Sequence, residues 1–121
     1  MLSRMKFEIE ELVNEMLDHL PDSVWTSEST TFLDPAIGGG QFVREIERRL
    51  KAHGHSDSNI RHRVFGFEES DLHIKFAVNK YRLLGQYVLK PYDKFLELDD
   101  SMNLIIDLTI PNHSYFFGFI S

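Results

Sequence analysis

The segment from Thr30 to Leu50 reads TTFLDPAIGGGQFVREIERRL. A short β-prone run is followed by an acid, a proline, three glycines and an amphipathic helical pattern. Gly38 and Gly40 therefore fall where a strand turns sharply into a helix, and residues without a side chain let a ligand lie against the backbone there. We interpret the segment as a nucleotide-type cofactor site, in which a side chain at Gly40 would fill the space of the ligand.

The composition indicates one small globular domain spanning residues 1–121, with 42% hydrophobic and 26% charged residues. The formal net charge of −6 argues against binding of nucleic acid through the overall field, because phosphate contacts need clustered lysines and arginines. Cysteine is absent, which excludes disulfides and thiolate zinc sites. No signal peptide or bilayer-spanning stretch is visible, so we expect a cytoplasmic protein without a membrane partner.

Helical and extended patterns alternate along the chain, which predicts a parallel sheet covered by helices. Ser70 is the expected cap of a helix that Gly85 terminates, with Phe76 among its buried residues. The predicted helices cover residues 7–20, 41–52 and 70–84, the predicted strands cover 30–34, 63–67, 87–89, 94–98 and 102–110, and a polar loop is predicted at 53–62. The apolar stripe predicted for the first helix is Ile9, Leu12, Val13, Met16, Leu17 and Leu20.

An acid ends each of the first two predicted strands. A carboxylate at Asp34, beside the glycines, favours a cationic or hydroxyl-bearing ligand over a bare phosphate. The sixth position of the glycine pattern is Val43, where the dinucleotide fingerprint has glycine or alanine, so a nicotinamide cofactor is disfavoured. Glu68 ends the strand in VFGFEES and is placed to bind ribose hydroxyls.

The stretch LDPAIGGGQF resembles the first motif of the amino-methylating DNA methyltransferases of the N6-adenine type, and VFGFEES resembles their second motif. The resemblance extends to about Asp100. It implies a Rossmann-like fold that binds S-adenosylmethionine, with Asp34 and the backbone of Gly38 and Gly40 holding the methionine part and Glu68 the ribose. YDKFLEL resembles the motif that contacts the adenine of the cofactor. The further cofactor-binding residues implied by these motifs are Pro35, Ala36, Phe42 and Asp93.

The family's catalytic tetrad, an asparagine or aspartate, two prolines and an aromatic residue, does not occur in this sequence. NLIID is followed by LTIPNHSYFFGFIS, in which Asp107, Pro111, Asn112 and Tyr115 have the right types in the wrong spacing. We therefore name no catalytic residue and expect an incomplete sheet, truncated or frameshifted before this motif. The resemblance implies the cofactor-binding portion of a restriction-modification or phage enzyme, inactive alone, that contacts DNA only with missing segments or another subunit.

Two alternatives to that interpretation remain open. One is a non-enzymatic methyltransferase remnant that acts by binding the cofactor or a partner subunit. The other is an ordinary nucleotide-binding fold that uses the glycine loop for NAD, ATP or another nucleotide.

Three further clusters have simpler explanations than ligand binding. Histidines and an acid in the predicted loop lack the spacing of a metal site, so we expect a solvated loop and no metal. Arginines on the 41–52 helix alternate with glutamates, which favours a solvated face with an ion pair between Glu45 and Arg49. The apolar tail YFFGFI favours core packing or self-association, so we expect a homodimer through the C-terminal tail. The clusters are His53, His55, Asp57 and His62; Arg44, Arg48, Arg49 and Lys51, with Arg61 and Arg63; and Tyr115, Phe116, Phe117 and Phe119.

Overall fold

The computed structural model describes residues 2–34, 37–89 and 115–116, which form an α/β domain with helices packed on a parallel sheet. None of the described helices is long and apolar enough to cross a membrane. The helices are α1 (Leu2–Asp18), α2 (Ser23–Thr26), α3 (Gln41–Ala52), α4 (Asp57–Arg61) and α5 (Asp71–Tyr81). The strands are β1 (Phe32–Asp34), β2 (Val64–Glu68), β3 (Gln86–Leu89) and β4 (Tyr115–Phe116).

The strands lie in the order β3-β2-β1-β4, and every pair is parallel. Asp34 stands opposite Gly66, and the two-residue strand β4 pairs with the start of β1. The parallel sheet and the strands expected at 30–34, 63–67 and 87–89 are confirmed within two residues. The strands expected at 94–98 and 102–110 lie outside the described residues.

The core forms between α3 and the sheet. Val43, Ile46 and Leu50 of α3 are fully buried, as are Phe32 and Val64 of the two central strands. Burial of each such side chain contributes about 1.5–3 kcal/mol relative to exposure. The apolar face that the sequence predicts for this helix is therefore the face that fixes it on the sheet.

Trp25 of α2 closes one side of this core. Its ring stacks on Phe32 with centroids 5.5 Å apart, and the guanidinium of Arg49 lies 5.4 Å from its centroid. The side chain is 5% exposed, and its ring is the point at which α2 meets β1 and α3.

The predicted apolar stripe of α1 is only partly correct. Val13 and Leu17 are buried, but Ile9 and Leu12 are 41% and 48% exposed. The helix lies beside α3 and is held by polar contacts, because Arg44 pairs with Glu10 at 3.0 Å and Arg49 bonds Asn14 at 2.9 Å. This position turns one edge of the stripe toward solvent.

The segment predicted as a polar loop contains the short helix α4. Ser56 caps it by accepting a hydrogen bond from the amide of Asn59, and Ile60 is fully buried beneath it. His55 Nε2 is 2.6 Å from the carbonyl oxygen of Trp25. The loop prediction was wrong because one apolar residue and a serine cap suffice to order a segment that is otherwise polar.

Helix α5 differs from its prediction at the C-terminal end. Ser70 caps its start as expected, but the helix ends at Tyr81, and Arg82 takes the left-handed cap conformation with φ +55°. Gly85 is not the terminator. It is a site of close approach, because an added Cβ would lie 2.6 Å from the carbonyl oxygen of Val64. Phe76, expected to be buried, is 59% exposed, and Ala77 takes the core position.

Candidate functional site

The candidate site lies at the carboxyl ends of β1 and β2, where the loops leave the sheet. Asp34 and Glu68 end these two neighbouring parallel strands, and they are 3% and 7% exposed. Parallel pairing brings the ends of β1 and β2 to the same edge of the sheet, which is where α/β domains bind their ligands. The structure therefore places the two predicted acids at one edge.

The glycine loop between β1 and α3 is tied to β2 by two backbone donors. The amide of Ile37 donates to the carbonyl oxygen of Phe67 at 3.0 Å, and the amide of Gly38 donates to Oε1 of Glu68 at 3.2 Å. Within the loop, the amide of Gly40 donates to the carbonyl oxygen of Ile37 at 2.8 Å. The loop is thus a fixed turn whose position depends on the acid that ends β2.

Gly38 and Gly40 both have positive φ values, +52° and +87°, but for different steric reasons. An added Cβ at Gly38 would meet no atom of the described residues within 4 Å. An added Cβ at Gly40 would lie 3.0 Å from the Cβ of Ala77 and 3.5 Å from the ring of Tyr81. Gly38 therefore borders open space available to a ligand. The expectation that Gly40 leaves room for the ligand was wrong, because that position faces helix α5.

Glu68 is held by three donors, one from the glycine loop and two from the start of α5. Besides Gly38, the amide of Ser70 donates to its Oε2 at 2.7 Å, and Nδ1 of His73 is 3.3 Å from the same oxygen. Oε1 accepts only the Gly38 bond among the described residues, and a carboxylate oxygen has capacity for a second. A hydroxyl-bearing ligand can use that remaining acceptor.

Gly66 and Tyr87 form the sheet beneath the loop. An added Cβ at Gly66 would lie 2.4 Å from Cγ2 of Ile37 and 2.9 Å from Cδ1 of Tyr87. The missing side chain at Gly66 therefore lets the glycine loop and the tyrosine ring approach the middle of β2. Sequence reasoning did not single out these positions, although a glycine inside a strand indicates such a close approach.

The hydroxyl of Tyr87 donates a hydrogen bond to the carboxylate of Glu47 in α3. Burial raises the pKa of Tyr87 well above its usual value, and the neighbouring Glu47 carboxylate adds to the shift. Glu47 is 4% exposed and also accepts the amides of Leu84 at 2.7 Å and Gly85 at 3.1 Å. This carboxylate fixes the turn between α5 and β3. The sequence offers one sign of this role. Glu47 lies four residues after the buried Val43 and therefore falls on the side of α3 that faces the core.

The remaining predicted cofactor residues divide into two groups. Phe42 is 5% exposed in the hydrophobic core at the first turn of α3. Pro35, Ala36 and Asp93 lie outside the described residues. Within the described ranges, no group of three or more His, Asp or Glu side chains is arranged to hold a metal ion.

The predicted pair between Glu45 and Arg49 is confirmed, with 3.2 Å between Oε1 and Nε. Burial raises the pKa of Glu45, but hydrogen bonds from Arg48 and Arg49 outweigh it, so the pKa is lowered overall. The expectation of a merely solvated face is corrected for Arg44 and Arg49, which reach across to α1.

Comparison with known proteins found no match for this chain. No protein-family model matches the chain, and no similar curated protein or solved structure was found.

Proposed function

We propose that this chain binds S-adenosylmethionine as the cofactor-binding part of a DNA adenine-N6 methyltransferase of restriction-modification or phage type. One observation carries the proposal. Gly38, with open space in place of a side chain, lies in the loop between two buried carboxylates, Asp34 and Glu68, that end adjacent parallel strands.

The chemistry of this site fits the proposed cofactor. A carboxylate at Asp34 attracts the ammonium group of the methionine part, and the remaining acceptor on Glu68 suits a ribose hydroxyl. Two carboxylates disfavour a pyrophosphate, which would otherwise be a common ligand of a glycine loop. The site therefore selects for a cationic nucleoside over NAD or ATP.

The strand order also supports a Rossmann-like fold. In doubly wound sheets with the strand order 3-2-1-4, strands are added first on one side of the first strand and then on the other. The ligand binds beside the first strand, where this order reverses. Here β1 lies between β2 and β4, so the loop after β1 leaves the sheet at this reversal. The glycine loop thus occupies the position that the fold type reserves for a ligand.

We do not assign methyl transfer to this chain alone. The proposed family uses a catalytic tetrad with two adjacent prolines to accept hydrogen bonds from the adenine amino group. The sequence has no pair of adjacent prolines and therefore lacks this tetrad. Contact with DNA and choice of its sequence belong, in this proposal, to other segments or to another subunit. A chain that binds the cofactor without transfer would equally be a non-enzymatic remnant.

Calorimetry with S-adenosylmethionine and S-adenosylhomocysteine tests the proposal directly. We expect saturable binding of both compounds and no competition by NAD or ATP at equal concentration. Binding of NAD or ATP in preference to S-adenosylmethionine would show an ordinary nucleotide site instead. A parallel assay of methyl transfer to adenine-containing DNA should give no product from this chain alone. Product formation would refute the proposal that methyl transfer needs other segments or another subunit.

A further inference from the structure

The solvent side of α1 carries a stripe of acids. Glu8, Glu11, Glu15 and Asp18 line a shallow groove there together with Leu12 and Asn14, and none of the described side chains that line it is basic. The spacing of these acids places them opposite Val13 and Leu17, which are buried. We call this surface the acidic stripe. It extends about 15 Å along the helix at 1.5 Å per residue.

The groove between α3 and α5 has the opposite charge. We call it the basic groove. Four cations and one carboxylate line it, a net charge of +3. The carboxylate is Glu47, which is occupied by two backbone amides and the Tyr87 hydroxyl. The residues lining the groove are Arg44, Glu47, Arg48, Lys51, Tyr81, Arg82 and Leu83.

Two cations of the basic groove are available to a partner. Arg44 and Arg48 are paired with glutamates of the same chain. Lys51 and Arg82 are exposed and have no side-chain hydrogen bond or ion pair among the described residues. Arg82 stands in the left-handed region, a conformation that residues other than glycine adopt at a cost of about 1–2 kcal/mol.

Both surfaces open on the solvent side of the same helical layer. Helix α1 lies next to α3, and Arg44 of α3 connects the two surfaces, because it pairs with Glu10 of α1 and lies 4.8 Å from the ring centroid of Tyr81 of α5. The acidic stripe and the basic groove are therefore separated by about the 8–10 Å between neighbouring helices.

We propose that a second copy of this chain docks here, with the acidic stripe of one copy in the basic groove of the other. The charges are complementary, because Glu11 and Glu15 of the stripe and Lys51 and Arg82 of the groove have opposite signs and no ion pair among the described residues. Leu12, 48% exposed within the stripe, can reach Tyr81 and Leu83 in the groove. Because each copy carries both surfaces, a reciprocal exchange closes a two-fold dimer. This interface uses none of the residues proposed to bind the cofactor.

A second copy suits the basic groove better than nucleic acid does. The acidic stripe lies within one helix width of the groove. A phosphate backbone passing along the groove would meet that stripe, whereas a second copy covers it with cations.

Sedimentation equilibrium of the full chain at several salt concentrations tests the proposal. We expect a monomer–dimer equilibrium whose association constant falls at least about tenfold between 0.05 and 0.5 M salt, because exposed charge pairs are screened. Glu11→Lys with Glu15→Lys should prevent dimerisation, as should Lys51→Glu with Arg82→Glu. An equimolar mixture of these two double variants should restore the dimer, because each acidic surface then faces a basic one.

The control variants reverse the same number of acidic or basic charges at positions outside the acidic stripe and the basic groove. Asp22→Lys with Glu69→Lys, and Arg61→Glu with Lys75→Glu, should dimerise like the parent chain, and circular dichroism should show that every variant folds. A parent chain that stays monomeric at low salt, or double variants that dimerise unchanged, would overturn the proposal. Binding of a DNA duplex to the groove in place of a second copy, lost in Lys51→Glu with Arg82→Glu, would overturn it as well.

Discussion

The amide of Gly38 donates a hydrogen bond to Oε1 of Glu68 at 3.2 Å, which joins two residues thirty positions apart in the chain. The bond ties the loop after the first strand to the acid that ends the second. A ligand in the glycine loop would therefore meet the Glu68 carboxylate without any movement of the backbone. The two halves of the candidate site are held in place before a ligand arrives.

Gly38→Ala should prevent binding of S-adenosylmethionine. Alanine at φ +52° costs about 1–2 kcal/mol of stability, and its methyl group would occupy the open space beside the loop. Gly54→Ala is a matched control, because Gly54 has φ +87° and open surroundings at the other end of α3. It should lose similar stability and keep full affinity in calorimetry. Equal affinity of both variants would place the ligand elsewhere.

Glu68→Gln should weaken binding at least about tenfold, since it replaces a charged acceptor by an amide that also donates. The amide has only one acceptor oxygen, so its NH2 group must face the backbone amide of either Gly38 or Ser70 and one of these hydrogen bonds is lost. We therefore expect a stability loss of about 1–3 kcal/mol. Glu69→Gln, at the exposed neighbouring position, is the control for charge. Titration calorimetry and urea unfolding measure the two effects separately. Unchanged affinity in Glu68→Gln would exclude this carboxylate from the site.

Gly40→Ala should destabilise the fold more than Gly54→Ala, although both residues have φ +87°. The difference isolates the contact with Ala77, whose Cβ would lie 3.0 Å from the new methyl group. Adding Ala77→Gly to Gly40→Ala should relieve that contact, and a double-mutant cycle of urea unfolding measures the coupling. A coupling energy near zero would show that the two helices move apart freely.

Tyr87 should make the fold sensitive to alkali. Its folded pKa is raised by burial and by Glu47, so the unfolded state loses the phenol proton first as the pH rises. The free energy of unfolding should therefore fall by about 1.4 kcal/mol per pH unit above about pH 10. This contribution is complete below that pH. The parent chain and Tyr87→Phe, unfolded in urea at pH 8 to 11, should differ in slope by this amount. Parallel slopes would contradict the assignment.

Arg63→Lys should destabilise the domain by about 2 kcal/mol or more, because three acceptors lose a fixed partner. Arg63 is 2% exposed, and its guanidinium bonds the carbonyl oxygens of Thr30 at 2.8 Å and Val24 at 3.3 Å, and Oδ1 of Asn59 at 3.0 Å. Arg61→Lys, at an exposed position on α4, should be neutral. Thermal unfolding compares the two, and a similar loss in both would show that the guanidinium bonds add nothing.

The sequence predicted the local elements of the sheet well, because each depends on short-range signals. The alternation of β-prone and helical patterns, the glycines after Asp34 and the cap at Ser70 all act within one turn or one strand. The acids at the ends of β1 and β2 follow from the same signals, since parallel strands align their carboxyl ends.

Long-range packing was less accessible from the sequence. Gly40 and Gly38 look alike in the sequence, and only the position of α5 distinguishes a helix contact from open space. The exposure of Phe76 and Leu12 likewise depends on how α5 and α1 are set against α3. The buried partners of Glu47 come from a turn 37 or more residues away, which no local pattern specifies.

Trp25 is the only tryptophan of the chain, and its ring is enclosed by Phe32 and Arg49. Its ultraviolet emission consequently comes from a single place, where α2, α3 and the first strand meet. The protein thus contains a natural fluorophore whose colour and intensity register the separation of these three elements, without attachment of a dye.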